Sequence, residues 1–399
     1  VPVDMTKDVT DALVDYEPAP NYPLKKKQDP HEETKLARIA EYINSAERPV
    51  MLVGGGAIAA EAAEEVQQLM KKADIPVVNT LMGLGTVPSS EERFFGMLGM
   101  HGSYAANRCV AEADLLLAVG TRFSDRVALN PKKFAKKAKV LQIDLDRSEV
   151  NKNVMTTESV IGDCKEVLEK LLPQISENSH KEWIEKIAAW DREKPTKVKE
   201  CNSRMNPEEI IRYICSNVDK ETIYVTDVGQ HQMWAAQYVQ QTKPRDFLSS
   251  GGLGTMGFGY GAAIGAQLAN PDKRVVHLTG DGSLHMNLNE ACTAVSNKLP
   301  IITVIFNNRV LGMVYQWQTL IYDRRYSQTT PNRKTDFVKL IEAFGGNGFR
   351  AENMEELKDA FSQALKCDGP SWIDCDIAAE DLVLPMIQNG QTVDEIIYK

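Results

Sequence analysis

Gly280-Asp281-Gly282 follows an apolar run ending at Leu278, and Asn307-Asn308 follows a second run, Pro300–Phe306, with 24 residues between the two turns. The Asp281 carboxylate, the Asn308 side-chain oxygen and the backbone carbonyl of Val310 are hard donors of the kind that octahedral magnesium takes. Gly280 and Gly282 clear side chains from a turn that a phosphate must approach closely. As parallel strands of one sheet, the two runs would bring both turns to its C-terminal edge, where open α/β sheets bind ligands. The chemistry that this spacing supports is the capture of a diphosphate through a bridging magnesium ion. A Gly-Asp-Gly turn by itself is common, and spacing alone leaves two unrelated strand-end turns as an alternative.

The neighbouring segments narrow the choice. Asp227–Gln237 (DVGQHQMWAAQ) precedes the first turn, together with the glycine-rich Ser249–Gly259 (SSGGLGTMGFG). Asn308–Leu320 (NRVLGMVYQWQTL) extends the second turn, and Asp381–Met386 (DLVLPM) lies near the end of the chain. Taken together they resemble the thiamine diphosphate signature, and in particular the large catalytic subunit of the acetolactate synthase family. That resemblance implies a diphosphate held by Gly229, Gln230, His231, Gly280, Asp281, Gly282, Ser283, Asn308, Gly312 and Met313. Magnesium would sit on Asp281, Asn308 and Val310. The resemblance also implies that the Gly254 carbonyl meets the aminopyrimidine and that Met256 wedges beneath the cofactor to hold it bent. Trp317 takes the position that favours 2-oxobutanoate as second substrate, and Arg126 is the candidate cation for that substrate's carboxylate.

A second series resembles the flavin-binding segments of the same family, in the same order. It comprises Gly54-Gly55-Gly56, Thr80–Gly85 (TLMGLG), Met97–Gly102 (MLGMHG), Gly120–Arg126 (GTRFSDR) and Gln142–Asp144 (QID). Thr80, Leu98, Gly99, Met100, His101, Gly120, Arg122, Asp144 and Asp163 are the implied contacts to flavin adenine dinucleotide, bound as a structural cofactor, with Gln232 and Met233 near the flavin from the other domain. Ser124 departs from the family pattern, where Asp is common, which puts one polar contact in doubt.

These sites need elements to hold them. Val50–Val53, Pro76–Val78, Asp114–Val119 and Lys139–Ile143 are short apolar runs separated by helical periodicity; Ala59, Ala62, Ala63, Val66, Leu69 and Met70 recur at the spacing of one helix face. Thr222–Val225, Arg274–Leu278, Pro300–Phe306 and Ser371–Ile377 repeat the pattern. The alternation predicts two α/β domains, each a doubly wound parallel sheet. The expected division is 1–35 as remnant and linker, 36–175 as central flavin-contacting domain, 176–205 as a polar, helical connector, and 206–399 as thiamine-diphosphate domain. Pro18, Pro20, Pro23, Pro30 and Lys25–Lys27 read as an extended, solvated linker. Val1–Val9 resembles the last strand of the family's N-terminal pyrimidine domain, so that domain, with its activating glutamate, is expected to be absent from this chain.

A net charge of -9 argues against nucleic acid as partner, and no apolar run is long enough to span a bilayer. Seven cysteines without a Cys-x-x-Cys pair, Cys201 among them, fit a reducing cytoplasm better than a disulfide framework. His277, inside a strand, reads as a core residue; His285, beside the phosphate turn, stays open. The reading is an acetolactate synthase that decarboxylates pyruvate and joins the remainder to pyruvate or 2-oxobutanoate. It would act as a homodimer or homotetramer, with a small regulatory subunit common in the family. The alternatives are a pyruvate oxidase or catabolic synthase of the same architecture, or a non-catalytic fragment.

Overall fold

The computed structural model describes residues 4–18, 32–196 and 205–398. Val1–Val3, the linker prolines Pro20, Pro23 and Pro30, the Lys25–Lys27 cluster, part of the expected connector and Cys201 lie outside the described residues. No helix among those described is long and apolar enough to cross a membrane.

Two six-stranded, wholly parallel sheets organise the chain. The first contains β1 (Pro49–Val53), β2 (Val77–Asn79), β3 (Phe94–Met97), β4 (Leu115–Val119), β5 (Lys139–Asp144) and β6 (Glu158–Ile161), in the order β3-β2-β1-β4-β5-β6. The second contains β7 (Ile223–Thr226), β8 (Phe247–Ser249), β9 (Val275–Gly280), β10 (Ile302–Asn307), β11 (Asn347–Ala351) and β12 (Ser371–Asp376), in the order β11-β12-β10-β9-β7-β8. Period-two alternation splits each central strand between two cores. Met51, Val53, Leu117 and Val119 face one layer of helices, and Val50, Leu52, Leu116 and Ala118 face the other. In the second sheet Val276, Leu278, Ile302 and Val304 oppose Val275, Ile301 and Ile305 in the same way. Burial on both faces is why these strands are continuous apolar runs.

Two details differ from the sequence reading. The helical run through Ala59–Met70 is two helices, Gly55–Ala59 and Ala63–Lys72. The chain turns at Glu61 (φ 55°), and the Ala62 amide bonds back to the Ala57 carbonyl at 2.9 Å, a helix-ending pattern formed here without a glycine to mark it. Lys7–Thr10 is one exposed helical turn and not part of a strand. The expected connector is helical over Lys181–Glu193, and this helix buries Trp183 and Ile187 against the first sheet, with Trp183 Nε1 donating to the Pro49 carbonyl at 3.0 Å.

Beyond β12 the chain crosses back to the first domain. The Ile387 amide donates to Met100 O and the Gly390 amide to Leu129 O, both at 2.9 Å. Asp394 pairs with Arg108, and Tyr398 meets Tyr104 edge-on at 6.2 Å. Met100, Leu384 and Met386 form an apolar cluster that Leu129 and Trp317 flank.

Candidate cofactor-binding cleft

The strand order of the first sheet reverses between β1 and β4, and that of the second between β7 and β9. At such switch points consecutive connections leave for opposite faces and open a crevice. The turns beyond the four strands carry Gly54–Gly56, Gly120–Arg122, Asp227–Gly229 and Gly280–Gly282. Between the domains lies one cavity of about 1220 Å³. Gly55, Gly56, Thr80, Leu98, Met100, His101, Gly120, Arg122, Arg126 and Asp144 line it from the first domain; Gly229, Gln232, Met233, Gly254, Met313 and Trp317 line it from the second. Asp146 and Glu149 are further lining residues that the sequence reading gave no role, and Ser250–Leu253 of the glycine-rich segment line the cavity beside Gly254.

Three expected contacts have other occupations. A Cβ at Gly54 would lie 2.3 Å from Gly120 O, and one at Gly99 would lie 2.1 Å from Arg126 O, so both glycines let backbones cross. The Asp163 carboxylate caps the helix Cys164–Leu171 through the amides of Lys165 and Glu166. None of these three lines the cavity. Arg126 does, while its guanidinium also pairs with Asp125 at 3.0 Å on a largely exposed surface.

The diphosphate-type turns are built around two buried groups. His231 fills the space between Gly229 and Gly280: a Cβ on either glycine would come within 2.7–2.8 Å of its ring. Burial pushes its pKa down to about 4, against the raising effect of Asp227, and Nε2 has no hydrogen-bond partner among the described residues. The second group is Asp227, to which the sequence reading gave no role. Oδ1 accepts from the amides of Gly257 and Gly259 at 2.8 and 3.0 Å; Oδ2 lies 3.2 Å from His277 Nε2 and accepts from Thr279 Oγ1 at 2.9 Å. One carboxylate therefore ties the glycine-rich segment to the ends of β7 and β9. The expected core residue His277 is fully buried within this network.

Met256 reaches over the Gly280–Gly282 turn, its methyl 3.8 Å from where a Cβ of Gly282 would be. Ser283 donates to Val228 O at 2.6 Å and joins the β9 turn to the β7 turn. His285 Nδ1 lies 2.6 Å from Asp281 O and Nε2 2.7 Å from Thr335 Oγ1, so both nitrogens hold this turn. Asn308 Nδ2 donates to Gln230 Oε1 at 3.0 Å. Between Asn308 and Val310, Arg309 adopts a left-handed φ of 59°, a conformation that costs a non-glycine residue about 1 kcal/mol or more and is commonest where function demands it.

The residues fit a magnesium–diphosphate group. Asp281 is buried, and that burial pushes its carboxyl up to about 6, opposed by the Arg333 charge. A divalent cation would compensate a buried carboxylate. No group of three or more His, Cys, Asp or Glu among the described residues is placed to hold a metal, so the candidate is one carboxylate with an amide oxygen and a carbonyl. Magnesium commonly takes few protein ligands and completes its shell with phosphate and water. Gly252 and Gly254 face open space, which leaves room for a planar group over them. In the first domain, burial raises the carboxyl of the lining residue Asp144 above its ordinary range.

Comparison with known proteins agrees with this geometry. Residues 36–171 match the central domain of thiamine pyrophosphate enzymes, and residues 227–375 match their C-terminal TPP binding domain. Acetolactate synthase isozyme 1 large subunit of Escherichia coli is 37% identical over 99% of this chain and 70% of its own length. Isozyme 3 large subunit of the same organism is 38% identical over 91% of the chain and 65% of its own length. The acetolactate synthase large subunit of Haemophilus influenzae is 38% identical over 88% of the chain and 63% of its own length. The chain thus spans roughly two thirds of these curated relatives. With two parallel sheets meeting at their switch points, and both domains matched in order, the chain belongs to the acetolactate synthase large-subunit family of thiamine pyrophosphate enzymes.

Proposed function

We propose that the whole protein condenses pyruvate with pyruvate or 2-oxobutanoate, with loss of carbon dioxide, in the route to valine, leucine and isoleucine. The observation that carries this reading is the pair of strand-end turns, after the neighbouring strands β9 and β10, that carry Asp281 and Asn308. Asp281, Asn308 and the Val310 carbonyl would hold magnesium; Gly229, Gln230, His231, Gly280, Gly282, Ser283, Gly312 and Met313 would surround the diphosphate. Gly254 and Met256 would orient the aminopyrimidine. Bound thiamine diphosphate supplies a nucleophilic carbon for the first 2-oxo acid and accepts the electrons released with carbon dioxide.

The chain's own groups then select and position. Neutral His231 contributes a buried ring without adding charge near the phosphates. Arg126, at the cavity wall, would pair with the second substrate's carboxylate through the fork of its guanidinium. Trp317 would shape the space for that substrate's alkyl end. Arg122 and Asp144 would contact flavin adenine dinucleotide, with Gln232 and Met233 on its other side. The exposed apolar side chains Leu253, Phe258 and Met286 beside the glycine-rich segment support a homodimer with the cleft at its interface. The relatives' designation as large subunits supports a small-subunit partner. A cytoplasmic location agrees with the cysteine usage.

Calorimetric titration with thiamine diphosphate and magnesium tests the cofactor assignment. Asp281→Ala is expected to abolish magnesium-dependent binding; unchanged affinity would refute it. Product analysis from a mixture of pyruvate and 2-oxobutanoate separates acetolactate-type products from those of an oxidase.

A further inference from the structure

Asn308 can present either its oxygen or its nitrogen to a cation, and only the oxygen binds one. Something must fix which way the amide faces. The structure contains a chain of buried amides that begins at a main-chain group of unambiguous polarity. The Val383 amide donates to Gln316 Oε1 at 2.8 Å, and Gln316 Nε2 donates to the Val383 carbonyl at 3.0 Å. This pair admits one orientation of Gln316. Its oxygen also accepts from Gln230 Nε2 at 3.0 Å, and the same nitrogen donates to Asp381 O at 3.1 Å. Gln230 Oε1 is thereby turned toward Asn308 and accepts from its Nδ2 at 3.0 Å. Each link fixes the next, and the last leaves Asn308 Oδ1 on the side away from the relay, where it also accepts from the Val310 amide at a longer 3.3 Å. Gln316 is fully buried, Gln230 is 3% exposed and Asn308 8%. Water therefore has little access to supply a substitute bond, and flipping any one amide would set donor against donor or acceptor against acceptor.

We propose that Gln316 is a positioning residue for the metal site: it transmits the polarity of the Val383 backbone, through Gln230, to the Asn308 side chain. The Asp381–Met386 segment thus orders a metal ligand that it does not touch. This rests on the reading of Asn308 as a magnesium ligand.

The test uses this chain, saturating thiamine diphosphate and a magnesium titration followed by calorimetry, with thermal unfolding of the metal-free chain beside it. Gln316→Met keeps the side-chain length and removes the relay. Loss of a partner that orients a ligand commonly costs 10–100-fold in metal affinity, and a loss of at least about tenfold is expected. The same substitution is then placed in an Asn308→Asp background. A carboxylate offers oxygen whichever way it turns, so there the effect of Gln316→Met should shrink to within about threefold. Gln316→Glu keeps the oxygen that accepts from Val383 and Gln230, and should hold magnesium to within about threefold of the parent; it also serves if the methionine variant does not fold. Unchanged affinity in Gln316→Met overturns the proposal. So does an equal loss in both backgrounds, which is the behaviour of a packing defect, or a tenfold loss in folded Gln316→Glu. If instead Asp281→Ala leaves magnesium affinity intact, the metal assignment itself fails.

Discussion

Replacing Gly312 with alanine sets two effects against each other. Gly312 opens the helix Gly312–Leu320, and alanine is the better helix former by about 1 kcal/mol at an interior position, less at the first turn. Propensity alone therefore favours the substitution. The space around the residue does not. A Cβ there would lie 2.0 Å from Gln230 Oε1, 2.7 Å from its Cδ and 3.0 Å from Asn308 Nδ2. Gln230 cannot retreat freely, because its nitrogen is committed to Gln316 and to the Asp381 carbonyl. Overpacking costs about 1–3 kcal/mol. Breaking the Gln230–Asn308 bond strands two buried polar groups at about 1–3 kcal/mol. After subtracting the propensity gain, a net destabilisation of about 1–5 kcal/mol is expected, or roughly 2–20 °C in Tm for a domain of this size. Thermal and urea unfolding of the parent and Gly312→Ala chains measure it directly, and magnesium-dependent thiamine diphosphate binding should weaken alongside. A Tm equal to or above the parent's would mean that helix propensity decides, and that the Gln230–Asn308 contact is not held tightly.

Three further outcomes are expected. Burial alone would raise the Asp227 carboxyl, but His277 and the Gly259 amide outweigh it and hold it at about 2, below its ordinary 3.8. A depressed carboxyl stabilises the fold above about pH 4 and ceases to do so as pH falls through 2, so Asp227→Asn should cost about 2 kcal/mol at neutral pH, with the difference from the parent closing between pH 4 and 2; a pH-independent difference in urea unfolding would contradict this. In the assembled enzyme, Trp317→Leu should lower the preference for 2-oxobutanoate, a discrimination limited by one methylene to about 1–3 kcal/mol, and a product ratio unaltered under direct competition would return Trp317 to the Met100–Leu384–Met386 cluster as packing only. Arg126→Lys should impair capture of the second 2-oxo acid while sparing release of carbon dioxide from the first; equal loss of both in single-turnover measurements would leave Arg126 with its Asp125 ion pair and no substrate role.

Eight of the twelve strands are legible in the sequence, and the four that are not, β3, β6, β8 and β11, are the edges of the two sheets. The reason is environmental. Central strands such as β1 and β4 are buried at every position and must be apolar throughout, whereas β6 and β8 are mostly half-exposed and carry Glu and Ser. Apolar runs therefore reveal the middle of a parallel sheet and conceal its margins. The site shows a similar asymmetry. Asp281, Asn308 and the glycines beside them are recognisable because turn, donor type and spacing are local. Asp227 and Gln316 act through partners 30–86 residues away, at Gly257, Thr279, Gln230 and Val383. A strand-end Asp and a helix Gln carry no local mark of such duties. Only the folded arrangement shows that one gathers three segments and the other fixes an amide.

The crossing of residues 381–398 back to the first domain also separates two kinds of integrity. Every described strand of both sheets precedes this strap in the chain, and the strap adds no strand to either sheet. Ile387 and Gly390 bond Met100 and Leu129, and Val383 engages Gln316. The walls of the cleft and the clasp across them are thus made by different stretches of chain. Cutting the chain after β12 would spare both sheets and still unlatch the seam between them.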